Sequence, residues 1–410
     1  MIIELFKPAN RKRLVLKPGR ERAVSNRHPW IFGGAITSES GPDDAAFADL
    51  VDRSGKVLAS GFHSARSQIR LRVLTFGGEE LTPDLIRARI VAAIARRREL
   101  FDDDTNAARV VNAEGDELSG LVVDRYNDLA VIEIANYGVE QIRDLIVDAI
   151  GMPRVFFKND LPARKLEGLT LENAVIPSAS EESGGVGGAP PDRPGPSLTL
   201  GVTEIRESGL RFIVDPREGQ KTGFFLDQRE NRRLARSLAN DRRVLNLFSY
   251  SGAFGVYAAA GGARSIVNVD VSEKAIDLAR RNHDLNGVNA DFVVADAFDW
   301  VRKCRDTFGL VVCDPPAFAK SRGDIDRAAR GYKDINLHAL RLVEAGGLLM
   351  TFSCSGHLSL DLFQKVIFAA ALDAGRSVAF VRRLTAGPDH PISLYCPEGE
   401  YLKGFLLAVR

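Results

Sequence analysis

The sequence of 410 residues predicts an α/β protein whose C-terminal half folds into a doubly wound sheet of seven strands, preceded by a small β-rich domain and a central α+β domain. Strand-like and helix-like segments alternate through the C-terminal half, as they do in βαβ units. The first 76 residues contain short apolar segments separated by turns instead. Between the two patterns lies a segment rich in Gly, Ser and Pro with few apolar side chains to bury, which predicts a linker or loop. We therefore predict four regions, at 1–76, 77–175, 176–201 and 202–410.

Charge is distributed unevenly along the chain. The formal net charge of +1 gives no general attraction to nucleic acid, but basic residues are concentrated near the N-terminus. Eight of them lie within positions 7–27, where Glu21 opposes them: Lys7, Arg11, Lys12, Arg13, Lys17, Arg20, Arg22 and Arg27. This segment is either a face that binds nucleic acid or a set of ordinary surface charges.

The cysteines and the apolar runs limit the possible sites and compartments. Cys304, Cys313, Cys354 and Cys396 have neither the spacing of a metal site nor that of a disulfide framework, which predicts no bound metal and a reducing compartment. No apolar run approaches the roughly 18 residues of a membrane span, and the N-terminus has no apolar signal segment. We therefore expect a cytoplasmic protein without a membrane partner.

Short strands and one basic amphipathic helix are predicted in the N-terminal half. The β-rich region should contain strands at 13–16, 30–33, 48–51, 57–62 and 69–76. A helix is predicted over 83–101, where Ile86, Ile90 and Ile94 recur among arginines. The central region should be completed by a hairpin at 121–124 and 130–135, a helix at 139–150 and a strand at 155–158.

Seven strands are predicted in the C-terminal half, at 243–247, 266–270, 292–295, 310–313, 347–353, 378–384 and 405–409. Helices fill the gaps between them, most clearly at 273–285 and 360–374. In a doubly wound sheet, ligands bind outside the carboxyl ends of the strands. The residues that follow these strands are therefore the first candidates for a binding site.

The first two strands of this sheet end in features that suit a nucleotide-like ligand. A turn into a helix follows the first strand and contains Phe248, Ser249 and Gly252, where glycine lets the backbone bend closely. Such a corner could also be purely structural. The second strand ends at Asp270, followed by Val271, and a carboxylate at this place can accept hydrogen bonds from ribose hydroxyls.

Acidic residues follow the third and fourth strands as well. Asp296 and Ala297 follow the third strand and suit the edge of an adenine ring, and Asp314 opens an Asp-Pro-Pro turn after the fourth. Any one of these aspartates could instead cap a helix, but features of this kind at four successive strand ends favour a shared ligand. The full G-x-G-x-x-G pattern of a dinucleotide site is missing. The Asp-Pro-Pro turn after the fourth strand and the seventh strand at the C-terminus both resemble class I methyltransferases, and this resemblance favours S-adenosylmethionine over a dinucleotide.

Cys354 lies forty positions after Asp314, just beyond the fifth predicted strand. A thiol beside a carboxylate on a turn stiffened by proline is the pair that covalent attack on a pyrimidine ring requires. A cysteine at a strand end is more often a small buried hydrophobe. The residue alone therefore does not decide between chemistry and packing.

Seven motifs stand along the chain: KTGFFLDQR (221–229), NLFSYSG (246–252), GYKDIN (331–336), FSCSG (352–356), DLFQK (361–365), DHP (389–391) and PEGEYLKG (397–404). Together they resemble the bacterial large-subunit ribosomal RNA cytosine-5 methyltransferases, over nearly the whole chain. That family has an N-terminal PUA domain, a central α+β domain and a C-terminal class I methyltransferase domain, and RHPWIF (27–32) is similar to the start of its PUA domain. The sequence departs from the family at 176–197, which has the character of an insertion.

The resemblance implies S-adenosylmethionine as cofactor, large-subunit ribosomal RNA as partner and 5-methylcytosine as product. Cys354 would add to carbon 6 of cytosine, and Asp314 would hydrogen-bond the ring N3 and the exocyclic amine. Phe225, Gln228 and Arg229 would lie near the methionine end of the cofactor. The base that removes the carbon-5 proton is not identified by the sequence.

Other expectations accompany the resemblance. Ala317 stands where some cytosine-5 enzymes carry a second cysteine, which implies a cycle with one cysteine, and the chain could form a homodimer. Five residues could line a track for RNA phosphates or be ordinary surface groups: Lys320, Arg322, Arg330, Tyr332 and Lys333. Two other functions stay open: methylation of a guanine nitrogen, since an Asp-Pro-Pro turn with a nearby aromatic residue resembles some of those enzymes too, and an inactive fold that binds RNA or assists ribosome assembly.

Overall fold

The computed structural model describes residues 2–176, 201–319 and 321–410. The predicted linker at 176–201 lies outside the described residues except at its two ends, and so does Lys320 of the predicted phosphate track. The chain forms two compact units. The first comprises Met1–Thr203, Val214–Phe224 and Asp389–Pro397, and the second comprises Glu204–Ile213, Phe225–Pro388 and Glu398–Arg410.

The first unit contains a six-stranded sheet with the strand order β2-β6-β5-β4-β1-β3. Its strands are β1 (Lys12–Leu16), β2 (Trp30–Phe32), β3 (Ile36–Ser40), β4 (Phe47–Val51), β5 (Val57–His63) and β6 (Ile69–Phe76). Short helices α1 (Ile2–Leu5) and α2 (Arg22–Ser25) precede β1 and β2. Leu14, Leu50 and Leu71 form the centre of its core. The five strands predicted here are confirmed, whereas β3 was not predicted because four of its five side chains are exposed and mostly polar.

A second sheet in this unit has the order β11-β10-β9-β8-β7. Its strands are β7 (Ala107–Asn112), β8 (Leu121–Tyr126), β9 (Leu129–Ile134), β10 (Arg154–Phe157) and β11 (Ala174–Ile176), and its helices are α3 (Pro83–Arg96), α4 (Tyr137–Glu140), α5 (Arg143–Ile150) and α6 (Pro162–Glu167). Thr82 caps α3 by accepting the Leu85 N–H at 3.2 Å. Asn127 turns the hairpin between β8 and β9 with a φ of 58°, as the tight turn requires.

The DHP motif has a structural part in the first unit. Asp389 Oδ2 accepts the backbone N–H of Arg109 in β7 at 3.1 Å. A Cβ atom on Gly115 would lie 1.9 Å from the carbonyl oxygen of Pro391, so the close approach of these two backbones requires glycine there. The segment 389–391 is therefore held by β7 and by the turn that follows it.

The second unit contains the hairpin of β12 (Thr203–Glu207) and β13 (Leu210–Val214) apart from its end residues Thr203 and Val214. A seven-stranded sheet with the order β16-β15-β14-β17-β18-β20-β19 follows. Its strands are β14 (Arg243–Leu247), β15 (Ser265–Asp270), β16 (Asp291–Val294), β17 (Phe308–Cys313), β18 (Val343–Ser353), β19 (Val378–Thr385) and β20 (Lys403–Val409). The helices are α7 (Arg229–Leu238), α8 (Ala253–Ala260), α9 (Glu273–Leu285), α10 (Ala297–Lys303), α11 (Ile325–Leu342) and α12 (Leu360–Ala374). All seven predicted strands are present, and the predicted doubly wound α/β fold is confirmed. In the part of the chain described above, no helix has the length and apolar character needed to cross a membrane.

Parallel pairing brings several strand ends to one edge of this sheet. β14 pairs in parallel with both β15 and β17, and β17 pairs in parallel with β18. The direction of the connections reverses between β14 and β17, which is the switch point where doubly wound sheets bind ligands. The loops that follow Leu247, Asp270, Cys313 and Ser353 therefore share this edge.

A buried carboxylate joins the β12–β13 hairpin to two helices of the second unit. Glu207 is fully buried, and its two carboxylate oxygens accept Nε and Nη2 of Arg232, in α7, at 2.8 Å each. The hydroxyl of Tyr257, in α8, donates to the same carboxylate at 2.9 Å, and burial raises the pKa of this phenol so that it stays protonated. Because buried charges are stable only when paired, the three elements depend on one another.

Replacement of Glu207 by alanine should destabilise the second unit by about 3–5 kcal/mol, because it leaves a buried guanidinium without its counter-charge. Chemical denaturation followed by circular dichroism measures this loss. Glu204→Ala is the matched control in the same strand, because the ion pair of Glu204 with Arg211 is about half exposed. This variant should lower the free energy of unfolding by less than about 1 kcal/mol. Equal losses in the two variants would contradict the structural role of Glu207.

Candidate active site

The thiol of Cys354 and the Asp-Pro-Pro turn are neighbours. Cys313 and Thr351 are partners in the parallel pairing of β17 and β18, so the residues that follow both strands emerge side by side. Cys354 is half-buried, and its Sγ lies 3.7 Å from the carbonyl oxygen of Pro315. Cys354 and Pro315, 39 positions apart in sequence, are thus brought together by the sheet.

Two hydroxyl groups tie the loop of Cys354 to the Asp-Pro-Pro loop. Ser355 Oγ accepts the backbone N–H of Ala319 at 3.2 Å, and the hydroxyl of Tyr332 lies 2.9 Å from the same Oγ. Tyr332 also donates to the carbonyl oxygen of Pro316 at 3.5 Å. Tyr332 is fully buried, and burial raises the pKa of its phenol. The expectation that Tyr332 lines a phosphate track is therefore wrong, because a buried side chain cannot meet an RNA backbone at the surface.

The carboxylate of Asp314 is oriented by an amide. Gln228 Nε2 donates to Asp314 Oδ2 at 2.9 Å, and Asn231 Nδ2 in turn donates to Gln228 Oε1 at 2.6 Å. Gln228 ends the short turn that leads into α7, so the start of α7 is linked to the end of β17. The sequence predicted that Gln228 contacts the cofactor, and the structure places its amide on Asp314.

Unusual backbone geometry marks the corner between β14 and α8. Phe248, Tyr250 and Gly252 have φ values of 58°, 44° and 70°. The left-handed conformation costs a non-glycine residue about 1–3 kcal/mol, and such strain is concentrated at functional sites. A Cβ atom on Gly252 would lie 2.8 Å from Cβ of Ala279 in α9, so glycine is required by φ and by the adjacent helix. Ser249 is buried, and among the residues described its hydroxyl has no hydrogen-bond partner.

Asp270 holds this corner from the end of β15. Its Oδ2 accepts the backbone N–H of Tyr250 at 2.9 Å, and its Oδ1 accepts the N–H of Ser272 at 3.0 Å. Each carboxylate oxygen can accept further hydrogen bonds, as ribose hydroxyls would offer. The side chain of Val271, beside it, is an apolar group that is 69% exposed, which is a suitable surface for an aromatic base.

Asp296 caps helix α10, which is one of the two roles that its position at a strand end predicted. Its Oδ1 accepts the N–H of Asp299 at 3.1 Å at the start of α10, and Ala297 is buried in the first turn. The next residue, Phe298, has its ring centroid 6.2 Å from that of Phe248 and 5.8 Å from that of Phe318. A row of aromatic rings therefore lies along the edge where the strands end.

Phe225 and Arg229 occupy different surroundings. The ring of Phe225 packs edge-on against Tyr250, with 5.3 Å between the centroids, which places it at the β14–α8 corner. The guanidinium of Arg229 is completely buried and lies 3.5 Å from the carboxylate of Glu207. The geometry therefore favours a cofactor contact for Phe225 and an ion-pair role for Arg229.

Lys403 was not singled out by the sequence analysis. It begins β20 opposite Ser353, and its buried Nζ donates to the carbonyl oxygen of Ser355 at 3.0 Å. A lysine at the start of an otherwise apolar strand is the signal that could have identified it. No comparable signal exists for the contact between Gln228 and Asp314, because this contact leaves no pattern in the sequence.

Comparison with known proteins identifies the family. Residues 196–398 match the model of a family described as S-adenosylmethionine-dependent methyltransferase, and residues 14–76 match that of a PUA-like domain. Ribosomal RNA large subunit methyltransferase I of Shewanella denitrificans is 41% identical to this chain over 411 residues, which cover 97% of this chain and 99% of that protein. The protein of the same name from Tolumonas auensis is 42% identical over 405 residues, with 96% and 98% covered.

The chain belongs to this family of S-adenosylmethionine-dependent methyltransferases. Among solved structures, a methyltransferase complexed with SAH has a TM-score of 0.79 and 21% identity, and the alignment covers 97% of this chain and 99% of that chain. A methyltransferase from Streptococcus mutans has a TM-score of 0.77 over the same shares of the two chains. These two likenesses support the fold, and the predicted class I methyltransferase architecture with a PUA-like N-terminal domain is confirmed.

The residues at the sheet edge of this methyltransferase fit its cofactor. S-adenosylmethionine has ribose hydroxyls for the carboxylate of Asp270, an adenine ring for the apolar surfaces of Val271 and Phe298, and polar groups that the buried hydroxyl of Ser249 can meet. These are the contacts that we expect the cofactor to use.

Asp270→Ala should weaken S-adenosylmethionine binding about tenfold to hundredfold, since it removes hydrogen bonds to a charged group and loosens the corner at Tyr250. Isothermal titration calorimetry measures the dissociation constant. Asp277→Ala, on the exposed face of α9, is the control and should bind like the wild type. An unchanged affinity in a folded Asp270→Ala variant would show that the cofactor lies elsewhere.

Proposed function

We propose that this methyltransferase forms 5-methylcytosine in large-subunit ribosomal RNA, with Cys354 as the covalent nucleophile. Two relatives that match nearly the whole chain are named ribosomal RNA large subunit methyltransferase I. The observation that carries the chemistry is the 3.7 Å contact of the Cys354 thiol with Pro315 of the Asp-Pro-Pro turn, beside the cofactor edge. A transfer to a guanine nitrogen would have no need of this thiol.

Cytosine requires activation because its carbon 5 is a weak nucleophile. The thiolate of Cys354 forms a bond to carbon 6, and the electron pair of the carbon 5–carbon 6 double bond moves towards carbon 5 and the ring N3. Carbon 5 then has the character of an enamine carbon. Cys354 is half-buried at a strand end, so the base must leave its stack to reach it.

Asp314 supports this addition at the opposite side of the ring. Its carboxyl group hydrogen-bonds N3 and the exocyclic amine, where charge changes as the bond to carbon 6 forms. The amide of Gln228 fixes the orientation of this carboxyl group at 2.9 Å. The prolines that follow Asp314 restrict the turn, so little reorganisation is needed.

The bound cofactor supplies an electrophilic methyl group on a sulfonium. After carbon 5 has accepted it, a base takes the carbon-5 proton, the carbon 5–carbon 6 double bond forms again, and the thiolate of Cys354 leaves. Water must be kept from the thiol during these steps. The ring of Phe318, which packs against Tyr332, and the loops joined by Ser355 are the groups proposed to exclude it.

A single cysteine carries out this cycle in the proposal. Cys313 is fully buried inside β17 and burial raises the pKa of its thiol, which keeps it protonated and unreactive. Burial also raises the pKa of Cys304. The Asp-Pro-Pro-Ala sequence has Ala317 where a second thiol could otherwise assist product release.

The PUA-like domain, at 1–76, is proposed to hold the RNA. Of its eight basic residues near the N-terminus, Lys12 is buried against Asp43 and Arg11 pairs with Asp49. The other six are exposed, and Lys7 among them pairs with Glu4. The remaining five exposed basic groups are Arg13, Lys17, Arg20, Arg22 and Arg27. Such groups contact phosphates and orient structured RNA without reading its sequence.

Cys354→Ala should abolish 5-methylcytosine formation, because carbon 5 is then not activated. The assay incubates the enzyme and S-adenosylmethionine with large-subunit RNA isolated from cells that lack the gene, and mass spectrometry of the nucleosides measures the product. Cys304→Ala is the matched control and should retain wild-type activity.

Three outcomes contradict parts of the proposal. Wild-type formation of 5-methylcytosine by the Cys354→Ala variant would exclude the covalent mechanism. Methylguanosine as the product would replace cytosine by guanine as the substrate. Failure of the wild-type protein to bind S-adenosylmethionine in calorimetry would indicate an inactive RNA-binding protein.

A further inference from the structure

A buried ammonium group is fixed beside the proposed nucleophile. Lys403 pairs with Ser353, the last residue of β18, and the residue is 4% exposed. Its Nζ donates to the carbonyl oxygens of Ser355 at 3.0 Å and of Tyr401 at 2.9 Å. The cation is therefore held against the backbone of Ser355, the residue that follows Cys354.

Neutral carbonyl groups do not fully compensate a buried charge. Burial lowers the pKa of Lys403, while Glu400 and Cys354 act in the opposite direction by electrostatic attraction. This attraction is reciprocal: a thiolate that stabilises the ammonium is itself stabilised by it. An apolar side chain would pack in this strand without the cost of burying a charge, so a buried lysine at this position points to a role beyond packing.

We propose that Lys403 is a positioning residue whose ammonium group stabilises the thiolate of Cys354. This inference rests on the proposed function, because it concerns the same thiol. A cation close to a cysteine increases the fraction of reactive thiolate near neutral pH. The two carbonyl contacts hold the charge in place, so the side chain does not need to become ordered during the reaction.

Other titratable groups around the thiol come from three elements. The phenol of Tyr332 in α11 interacts with Cys354 but stays protonated because of its burial. The carboxyl group of Asp314, after β17, is next to the Pro315 carbonyl that the thiol contacts, and its negative charge opposes a thiolate. Glu400 precedes β20 and stabilises the protonated form of Lys403. The positive charge of Lys403 thus offsets the negative charge of Asp314, the carboxylate that lies near the thiol.

Alkylation of Cys354 by iodoacetamide as a function of pH tests the inference. Mass spectrometry of the peptide that contains Cys354 measures the rate separately from the other cysteines. Lys403→Met removes the charge and both hydrogen bonds, whereas Lys403→Gln removes the charge and keeps a donor. Both variants should shift the midpoint of the profile upwards by about one pH unit, which is the usual effect of one nearby opposite charge.

Lys365→Gln is the control for loss of a positive charge, because Lys365 is exposed on α12, and its midpoint should equal that of the wild type. Circular dichroism verifies that each variant is folded. A wild-type midpoint in the folded Lys403→Gln variant would overturn the inference and leave only a structural role in holding the loop.

The wild-type protein alone decides the question if both Lys403 variants fail to fold. A midpoint clearly below about 8.5, the pKa of an ordinary thiol, supports the inference, and a midpoint at or above that value overturns it. The alkylation requires neither RNA nor methyl transfer. Its outcome is therefore separate from that of the product assay, and either idea can fail without the other.

Discussion

The candidate site depends on the parallel register of β14, β15, β17 and β18. In this pairing Leu247, Asp270, Cys313 and Ser353 end at one edge, so the loops that follow them meet although more than a hundred residues separate the first from the last. A shift by one residue would turn the side chains of a strand to the opposite face of the sheet. The hydrophobic core on both faces prevents such a shift, and this packing is what fixes the distance between the thiol and the Asp-Pro-Pro turn.

The buried carboxylate of Glu207 extends this constraint to the start of α7. Through Arg232 it holds the helix whose first residues follow Gln228, and Gln228 in turn orients Asp314. A structural ion pair and a candidate catalytic carboxyl group are thus connected by one helix. The cost of burying these charges is offset only while all partners are present, which makes this region sensitive to single substitutions.

Much of the fold was predictable because strands buried on both faces form apolar runs, and the central strands β14, β17 and β20 of the seven-stranded sheet have this property. The strand at Ile36–Ser40 was not predicted because its side chains are mostly exposed and polar. Within the site, strand-end positions identified Asp270, Asp314 and Cys354. Contacts between distant side chains were not predictable, since the pairing of Gln228 with Asp314 and the burial of Tyr332 leave no periodic signal. The carboxylate of Asp296 was recognisable as either a ligand group or a helix cap; it caps α10 through one oxygen, and its contact with the cofactor stays a prediction.

The hydroxyl of Ser355 has a dynamic consequence. Because it accepts the Ala319 N–H and meets the Tyr332 hydroxyl, the loop that carries the thiol and the loop that carries Asp314 are joined at one atom. Thermal fluctuations of the two loops are then correlated rather than independent. The conformational entropy of arranging the two sides of the pocket is lost during folding. In the proposed reaction, the entering base therefore meets one rigid surface instead of two loops that must each become ordered on binding.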